Sequence, residues 1–410
     1  MLFRPRCFFW IAISVVGFGQ DQREWSESQI VERFLMLSPQ AQELRARVAL
    51  AEAEVKTRTV YPNPSVSYSR ESAGYNEFFE ASQTLPVSGR VRYLRNAGSA
   101  AVSVADANRE AALWSLRSDL RLAFYRMLAA QERARLLSAG AAEINQLIRI
   151  LRQREDEGEG SHYDRVRAER EVAELRTDGA GANALIAAAR GTIRRFLPGG
   201  TQVQSVRGAL AIPPDTPGVD ELNARAIDSR ADYRAEQKAL TRFKLEEQAA
   251  RRLRIPDPQV SGGVKRADIM PGVASTGVVF SLTVPLPVFN SGRYEVARYQ
   301  AEQEQVMARA AVLARQIQAE IQGAHEVLAI RREALAAYER ELESAGAELT
   351  RITRVAYEEG EVGILELLDS LRINRMASLR LLDLQAAVRE AFIELERVVG
   401  AELTNGGGRP

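Results

Sequence analysis

The residues Tyr61-Pro62-Asn63-Pro64-Ser65-Val66 are matched about two hundred positions later by Ile255-Pro256-Asp257-Pro258-Gln259-Val260. Three further blocks recur in the same order: Ser82-Gln83-Thr84-Leu85-Pro86 with Ser281-Leu282-Thr283-Val284-Pro285, Ser88-Gly89-Arg90 with Ser291-Gly292-Arg293, and Glu157-Gly158-Glu159 with Glu359-Gly360-Glu361. Ordered matches of this kind indicate an internal duplication, so the two halves of the chain are expected to share one structural plan.

Each half predicts a first helix, two short β-stretches, a long helix, a glycine-rich break and a returning helix. The first repeat is placed at 20–208, with strands at 65–70 and 77–85 and a helical hairpin at 90–196. The second repeat is placed at 209–404, with strands at 259–264 and 276–284, a helical hairpin at 293–400 and a flexible tail at 405–410. A polar loop is expected between the two strands of each repeat, at 71–76 and around 268–272. The fold class is therefore mainly α with a small β part.

The long helices carry the strongest signal. Residues 91–154 contain no proline and repeat apolar residues at helical spacing, as do residues 294–358. At 1.5 Å per residue, a helix of that length measures roughly 95 Å. Such a helix needs partner helices along its length, in a coiled coil or a helical barrel.

The β-stretches are short, and the last of them alternates apolar Val278, Phe280 and Leu282 with Ser281 and Thr283. This alternation suits a membrane β-strand, although a small soluble sheet beside a helical bundle is an alternative. Four strands cannot close a barrel that opens a channel, and open sheet edges do not occur in lipid. If the strands span a membrane, several chains must share one barrel.

The N-terminus has the features of a secretory signal peptide over residues 1–19. Arg4 and Arg6 precede an apolar run from Cys7 to Gly19, and cleavage is expected after Gly19 without lipid attachment. A short membrane anchor is the alternative, but the run is shorter than the roughly 20 residues that a spanning helix needs.

The composition excludes several classes of function. The 55 Lys+Arg and 54 Asp+Glu residues nearly cancel, which argues against a nucleic-acid partner. Cys7 is the only cysteine, and the two histidines, His162 and His325, lack the spacing of a metal site. No phosphate loop, dinucleotide motif or nucleophile elbow is present. We therefore expect no catalytic residues, no cofactor and no bound metal, and a protein that is not an enzyme.

The chain resembles the TolC family of outer-membrane efflux proteins over nearly the whole of its expected mature length. The resemblance rests on the duplication, on residues 61–64, on residues 284–293 (Val-Pro-Leu-Pro-Val-Phe-Asn-Ser-Gly-Arg), and on a turn motif, G-x-x-[S/T]-x-x-[D/E]. The motif occurs at 158–164 and again at 360–366, where Gly363 replaces the usual Ser/Thr. The chain is also similar to the outer-membrane component of heavy-metal resistance-nodulation-division systems of the cobalt-zinc-cadmium type.

The resemblance implies a homotrimer in the cell outer membrane, with a shared 12-stranded barrel in lipid and a helical tunnel in the periplasm. It implies a passive duct that exports metal cations or drugs, with a periplasmic adaptor (membrane fusion) protein and an inner-membrane pump of the resistance-nodulation-division type as partners. The alternative function is a periplasmic coiled-coil adaptor or scaffold. An adaptor of that kind usually has one central hairpin between β-rich domains, whereas this sequence predicts two hairpins.

The turn motifs contain the candidate site residues. Gly158 and Gly360 can adopt positive φ and end a helix, Ser161 can cap the next helix, and Asp164 would complete a capping-box-like arrangement. A plain helical hairpin is the alternative interpretation. In the family, these turns form the periplasmic tip, which meets the adaptor and closes the aperture.

Glu366 and Asp369 are three residues apart and so share one helix face after the second turn. The resemblance places aperture-lining acids here, and a trimer would then gather six carboxylates that favour cations. Solvated helix-end acids are the alternative, and Asp164 is a second candidate for the aperture. We expect His162 to be an exposed turn residue. Arg90 and Arg293 follow the strands, where they either anchor the membrane interface or are simply solvated.

Overall fold

Two pairs of long antiparallel helices extend from one four-stranded sheet in the computed structural model, which describes residues 24–71, 76–270 and 273–403. The first repeat contains β1 (Glu24–Trp25), α1 (Glu27–Leu37), α2 (Pro39–Thr59), β2 (Ser65–Glu71), β3 (Asn76–Thr84), α3 (Arg90–Asp156), α4 (His162–Arg195) and β4 (Ser205–Val206). The second contains α5 (Val219–Ser229), α6 (Ala231–Arg251), a 3₁₀ turn (Arg252–Arg254), β5 (Gln259–Met270), β6 (Val273–Thr283), α7 (Arg293–Glu358) and α8 (Ile364–Val399).

The helices begin where the local sequence provides caps. Ser26 starts α1 with a capping box formed with Gln29. The Ser38 hydroxyl accepts a hydrogen bond from the Ala41 amide at 3.0 Å, and Pro39 occupies the first turn of α2. The 67 residues of α3 and the 66 residues of α7 run without a break, as the absence of proline predicts. The short helices α1 and α5 and the two-residue strands β1 and β4 were not predicted.

The sheet has the antiparallel order β2-β3-β5-β6, so the β3–β5 pairing joins the two repeats. The expected end of β5 at residue 264 is wrong, because the strand continues to Met270. Lys265 and Arg266 look like loop residues, but they pair in register with Phe78 and Glu77 of β3. The loop predicted at 71–76 lies largely outside the described residues, as do the signal-peptide and tail predictions. The loop expected around 268–272 is wrong at 268–270, where the chain is still in β5, and 271–272 lie outside the described residues.

Register separates the sheet into two chemically different faces. Residues paired across strands share a face. One face, called here the apolar face, carries Val66, Tyr68, Phe79, Val264, Val278 and Phe280. The opposite face, called here the hydroxyl face, carries Ser65, Ser67, Ser82, Ser261, Ser281 and Thr283.

The sheet curves around its hydroxyl face. On β5, the apolar-face residues Gly262, Val264 and Arg266 are exposed, whereas Ser261 and Lys265 on the hydroxyl face are half-buried. Across the hydroxyl face, the Oγ atoms of Ser65 and Ser82 lie 2.7 Å apart, as do those of Ser261 and Ser281 (a further pair in the same row). The sheet therefore presents a convex apolar surface and a concave polar one.

Three apolar clusters hold the helices together. The first packs α1 and β4 on the middle of α3 and includes Phe34, Phe124 and Phe196. The second joins α5, α7 and α8, and the third joins α3, α4 and α8 near the helix ends farthest from the sheet. In the ranges 24–71, 76–270 and 273–403, no helix carries an uncharged apolar stretch long enough to cross a bilayer.

A ladder of arginines on α3 faces acids on or just after α8. Its pairs are Arg117–Glu402, Arg121–Glu396, Arg126–Glu390 and Arg133–Asp383. Arg121 and Glu396 are buried, whereas 62% of the Arg126 side chain is exposed. The ladder links the two repeats along their long helices, and its Arg121–Glu396 pair is buried.

The buried pair belongs to a larger polar network at the base of α1. Arg121 also forms an ion pair with Glu27, and Glu27 accepts a hydrogen bond from the Tyr125 hydroxyl. Glu396 accepts a hydrogen bond from the Leu403 amide, with a donor-to-acceptor distance of 2.9 Å. Burial alone would raise the pKa of Glu27, but Arg121 and the hydrogen bonds lower it below the usual range. Burial and the bond to Glu27 raise the pKa of Tyr125 to about 12.

Candidate functional site

The two predicted turns connect α3 to α4 and α7 to α8. Gly158 has φ of 80° and Gly360 has φ of 76°, which is the left-handed conformation that glycine adopts without strain. The amide of Glu159 donates to the Arg154 carbonyl and the amide of Glu361 donates to the Ala356 carbonyl, each at 2.8 Å. The prediction that these glycines end the two long helices is correct.

The predicted capping box at Ser161 is wrong. Ser161 occupies the N-cap position of α4 with extended backbone, but its side chain makes no capping hydrogen bond. The amide of Asp164 donates instead to the Ser161 carbonyl at 3.2 Å. Gly363 occupies the same position before α8 and has no side chain to offer.

The fold brings the two turns together at the end of the molecule farthest from the sheet. Residues of α3 and α4 share one apolar cluster with the first two turns of α8: Ile148, Leu151, Ala168, Val172, Ile364, Leu367, Leu368 and Leu371. Tyr357 packs on this cluster. Burial raises the pKa of Tyr357; the charge of Arg154 lowers it, and that of Asp164 raises it. Both turns therefore form one tip.

Glu366 and Asp369 lie on the exposed side of α8, while Ile364 and Leu367 of the same turns are buried. Asp164 is half-buried at the start of α4. Among the ion pairs of the described residues, none involves Glu366 or Asp369. Both carboxylates are thus available to a partner or to a neighbouring copy of the chain, and the aperture role of all three acids remains a prediction.

A charged network across the first turn was not predicted. Glu155, at the end of α3, accepts Arg165 Nε at 2.6 Å and lies 2.7 Å from Nδ1 of the exposed His162. Arg165 also binds Glu169 at 2.8 Å, and Arg152 binds Glu169 at 3.2 Å. The signal in the sequence was the placement of the oppositely charged Glu155 and Arg165 on either side of the turn.

The second turn replaces this network with apolar residues. In the alignment of the two motifs, four charged or polar residues correspond to four apolar or aromatic ones: Glu155 to Tyr357, His162 to Ile364, Arg165 to Leu367 and Glu169 to Leu371. At the first turn His162 is exposed and the pair of Glu155 and Arg165 is half-buried, whereas Ile364, Leu367 and Leu371 are buried. The first turn is therefore held by ionic contacts, and the second by the burial of apolar side chains.

Acid is expected to loosen the first turn selectively. The hydrogen bond from Arg165, followed by that from His162, lowers the pKa of Glu155. Stabilisation by a carboxylate with a lowered pKa is complete above the ordinary value of 4.5 and is lost as the pH falls through the lowered one. Protection of the backbone amides against hydrogen exchange, relative to their intrinsic exchange rates at each pH, should fall at residues 157–161 below pH 4.5 and stay constant at 359–363. A Glu155→Gln variant should show low protection at 157–161 at every pH, and a Glu159→Gln control should not.

Aromatic and apolar side chains surround the junction between the sheet and the long helices. Phe289 is 94% exposed, and Leu286 and Val288 are also exposed. The Arg293 guanidinium stacks on Tyr294, 4.5 Å from the ring centroid. Amphipathic side chains of this kind collect at membrane interfaces, and the anchoring role of Arg293 stays a prediction. Within the described ranges, no group of three or more His, Cys, Asp or Glu residues is arranged to hold a metal ion.

Comparison with known proteins agrees with this architecture. No family model matches the chain. The chain is 25% identical over 378 residues to the cobalt-zinc-cadmium resistance protein CzcC of Cupriavidus metallidurans, covering 89% of this chain and 86% of that protein. Its fold is similar to that of CusC, with a TM-score of 0.71 at 18% identity and 92% coverage of both chains. The chain has the TolC-like channel fold.

A second channel structure has a similar fold. The outer-membrane channel MtrE of Neisseria gonorrhoeae, in its open state, matches with a TM-score of 0.70 at 20% identity, covering 92% of this chain and 89% of that one. The resemblance drawn from the sequence and the mainly α fold with a small sheet are both confirmed. The proteins matched are channels and a resistance protein, in keeping with the prediction that this chain is not an enzyme.

Proposed function

We propose that three copies of this chain form the outer-membrane channel of a tripartite efflux system, a passive conduit with a large periplasmic part. The observation that carries the proposal is the sheet, which has a convex apolar face and a concave hydroxyl face. Its edge strands β2 and β6 each lack a strand partner on their outer side among the residues that the structure describes. An open edge is not stable in lipid. Three sheets joined edge to edge give twelve strands with no edge left, their apolar faces toward lipid and their hydroxyl faces toward water.

The helices supply the rest of the conduit. At 1.5 Å per residue, the 67 residues of α3 reach about 100 Å from the sheet, a length suited to crossing the periplasm. The tip formed by the two turns is then the point where a periplasmic adaptor and an inner-membrane pump of the resistance-nodulation-division type would dock. Because the duct has no energy source of its own, the pump would drive transport.

The trimer is tested by cross-linking between edge strands. Cysteine at Thr283 of β6, combined in turn with cysteine at Ser65, Ser67 or Ser69 of β2, should give covalent dimers and trimers in outer-membrane preparations. Cysteines at the adjacent positions Ser82 and Ser261, which pair within one sheet, should give none. Monomers alone, in every edge combination and in native mass spectrometry, would overturn the proposal. Such a result would favour the adaptor or scaffold function.

Neutral residues at the proposed aperture are expected to weaken cation preference. A channel purified with Glu366→Gln and Asp369→Asn should show several-fold lower cation-to-anion permeability in planar bilayers and altered block by divalent ions, because six carboxylates leave the constriction. The helices should be unaffected, since both side chains are exposed. Glu361→Gln in the turn is a matched control. Unchanged selectivity in a properly assembled double variant would place the aperture elsewhere, and Asp164 would be tested next.

The cargo we favour is a divalent metal cation, since the relative matched over most of the chain is a cobalt-zinc-cadmium resistance protein. Deletion of the gene should then lower tolerance of cobalt, zinc or cadmium more than tolerance of drugs. Loss of drug tolerance with unchanged metal tolerance would contradict this assignment while leaving the channel function intact.

A further inference from the structure

We infer that Glu80 makes the inside of the barrel cation-selective at the level of a ring of serines, and so acts as a second selectivity element besides the tip. This inference rests on the proposed function, because it requires the hydroxyl face to line a water-filled barrel. It concerns the end of the conduit opposite the proposed aperture.

Glu80 belongs to the hydroxyl face. It pairs in register with Ser67 on β2 and Gly263 on β5. Ser82, two residues away on the same face, belongs to a row of serines that crosses all four strands: Ser65, Ser82, Ser261 and Ser281. A two-residue step along a strand is about 7 Å. The carboxylate of each chain therefore lies next to a row of neutral hydroxyl groups.

Gly263 makes room for the Glu80 side chain. A Cβ atom built on Gly263 would lie 2.9 Å from Cγ of Glu80. The Glu80 side chain therefore occupies space that a side chain at position 263 would need. Glu80 is half-buried in the concavity of the sheet and not extended outward. Its charge is thus held over the inner surface of the sheet.

The nearest base on this face does not neutralise Glu80. Lys265 lies one row further from the helices and stacks on Phe78, with Nζ 5.1 Å from the ring centroid. Among the described residues, no ion pair joins Lys265 to Glu80. Measured along the strand, Lys265 is four residues, or about 14 Å, from Ser261 of the serine row. Glu71, on the same face, is about 20 Å along its strand from Ser65 of that row. Glu80 therefore dominates the potential at the serine row.

The geometry of a barrel makes three such charges effective. Twelve strands about 4.8 Å apart and tilted by about 40° enclose a backbone cylinder roughly 20–25 Å across. Side chains on the inner face then come within about one Debye length of the axis at 0.1 M salt. Three copies of Glu80 would enrich hydrated cations beside hydroxyl groups too weak to retain them, which suits a conduit for cationic cargo.

Charged thiol reagents provide the test. Single cysteines are placed at Ser82, on the hydroxyl face, and at the neighbouring Ala81, on the apolar face, and intact cells are treated in 10 mM salt. The reagents are a trimethylammonium and a sulfonate methanethiosulfonate. With Glu80 present, the cationic reagent should modify Ser82→Cys about fivefold faster than the anionic one, relative to the same ratio for free thiol. Adding Glu80→Gln should reduce the ratio to about one, and 1 M salt should do the same.

Matched variants separate this effect from general disturbance. Glu77→Gln, on the apolar face of the same strand, should leave the ratio unchanged, and Lys265→Gln should change it by less than twofold because of its distance. A ratio that Glu80→Gln does not change, with Ser82→Cys still modified, would overturn the inference alone. Modification of Ala81→Cys but not of Ser82→Cys would overturn the proposed channel as well.

Discussion

Replacing Arg121 with alanine is expected to lower the free energy of unfolding by about 3–5 kcal/mol. The change leaves Glu396 buried at 1% exposure with its main cationic partner gone, and removes the same partner from Glu27. An uncompensated buried carboxylate is costly because the protein interior does not replace its hydration. Guanidinium denaturation of the protein purified in a mild detergent, followed by circular dichroism, measures the effect.

Arg126→Ala is the matched control for Arg121→Ala. Arg126 lies on the same helix and in the same ladder, 3.0 Å from Glu390, but it is largely exposed. Its loss should cost less than about 1 kcal/mol, as is typical of surface ion pairs. Equal destabilisation by the two variants would show that the buried network does not behave as the structure indicates.

Gly263→Ala is expected to separate the two halves of the sheet. A Cβ atom at this position would lie 2.1 Å from the carbonyl oxygen of Phe79 and 2.8 Å from Cα of Glu80, and a backbone cannot move away as a flexible side chain can. Steric overpacking of this kind typically costs 1–3 kcal/mol, and more where backbone is displaced. For the proposed outer-membrane trimer, we expect a large loss of assembled protein and of heat-resistant oligomer on gels.

The adjacent Gly262→Ala provides the comparison. An added Cβ at Gly262 meets nothing within 4 Å, because it points from the convex apolar face. Both variants replace glycine with alanine in the same strand, so changes in unfolded-chain entropy and strand propensity are matched. Normal assembly of Gly263→Ala would mean that β3 and β5 are not paired as described.

Much of the architecture could be predicted from local pattern. The proline-free helices and the alternation in β6 each depend on residues close together in the sequence, and so does the left-handed glycine of each turn. The duplication was found by comparing such short blocks between the two halves of the chain. The length of β5 could not be predicted in this way. Lys265 and Arg266 become strand residues only because β3 supplies Phe78 and Glu77 as partners.

The candidate site was predictable only in part, for the same reason. The motif identified the turn residues, but the hydrogen bonds around them depend on the antiparallel partner helix. Ser161 is placed as expected, yet its side chain makes no cap, and the side chains that do bind across the turn are those of Glu155 and Arg165. The exposed positions of Glu366 and Asp369 follow from helical periodicity, whereas their neighbours in an assembly do not.

The β3–β5 pairing has a consequence for how the protein folds. Its partners, from Thr84 with Gln259 to Asn76 with Ala267, are about 180 residues apart in the chain, so closing the sheet carries a large loop-entropy cost and is slow. Each helical hairpin, in contrast, closes through a short turn and can form early. If the chain is exported as the proposed function requires, the first strand pair waits, with its apolar face uncovered, until the second pair arrives. Periplasmic factors would then have to shield this hairpin, and the time between the arrival of the two halves should determine how much of the chain aggregates.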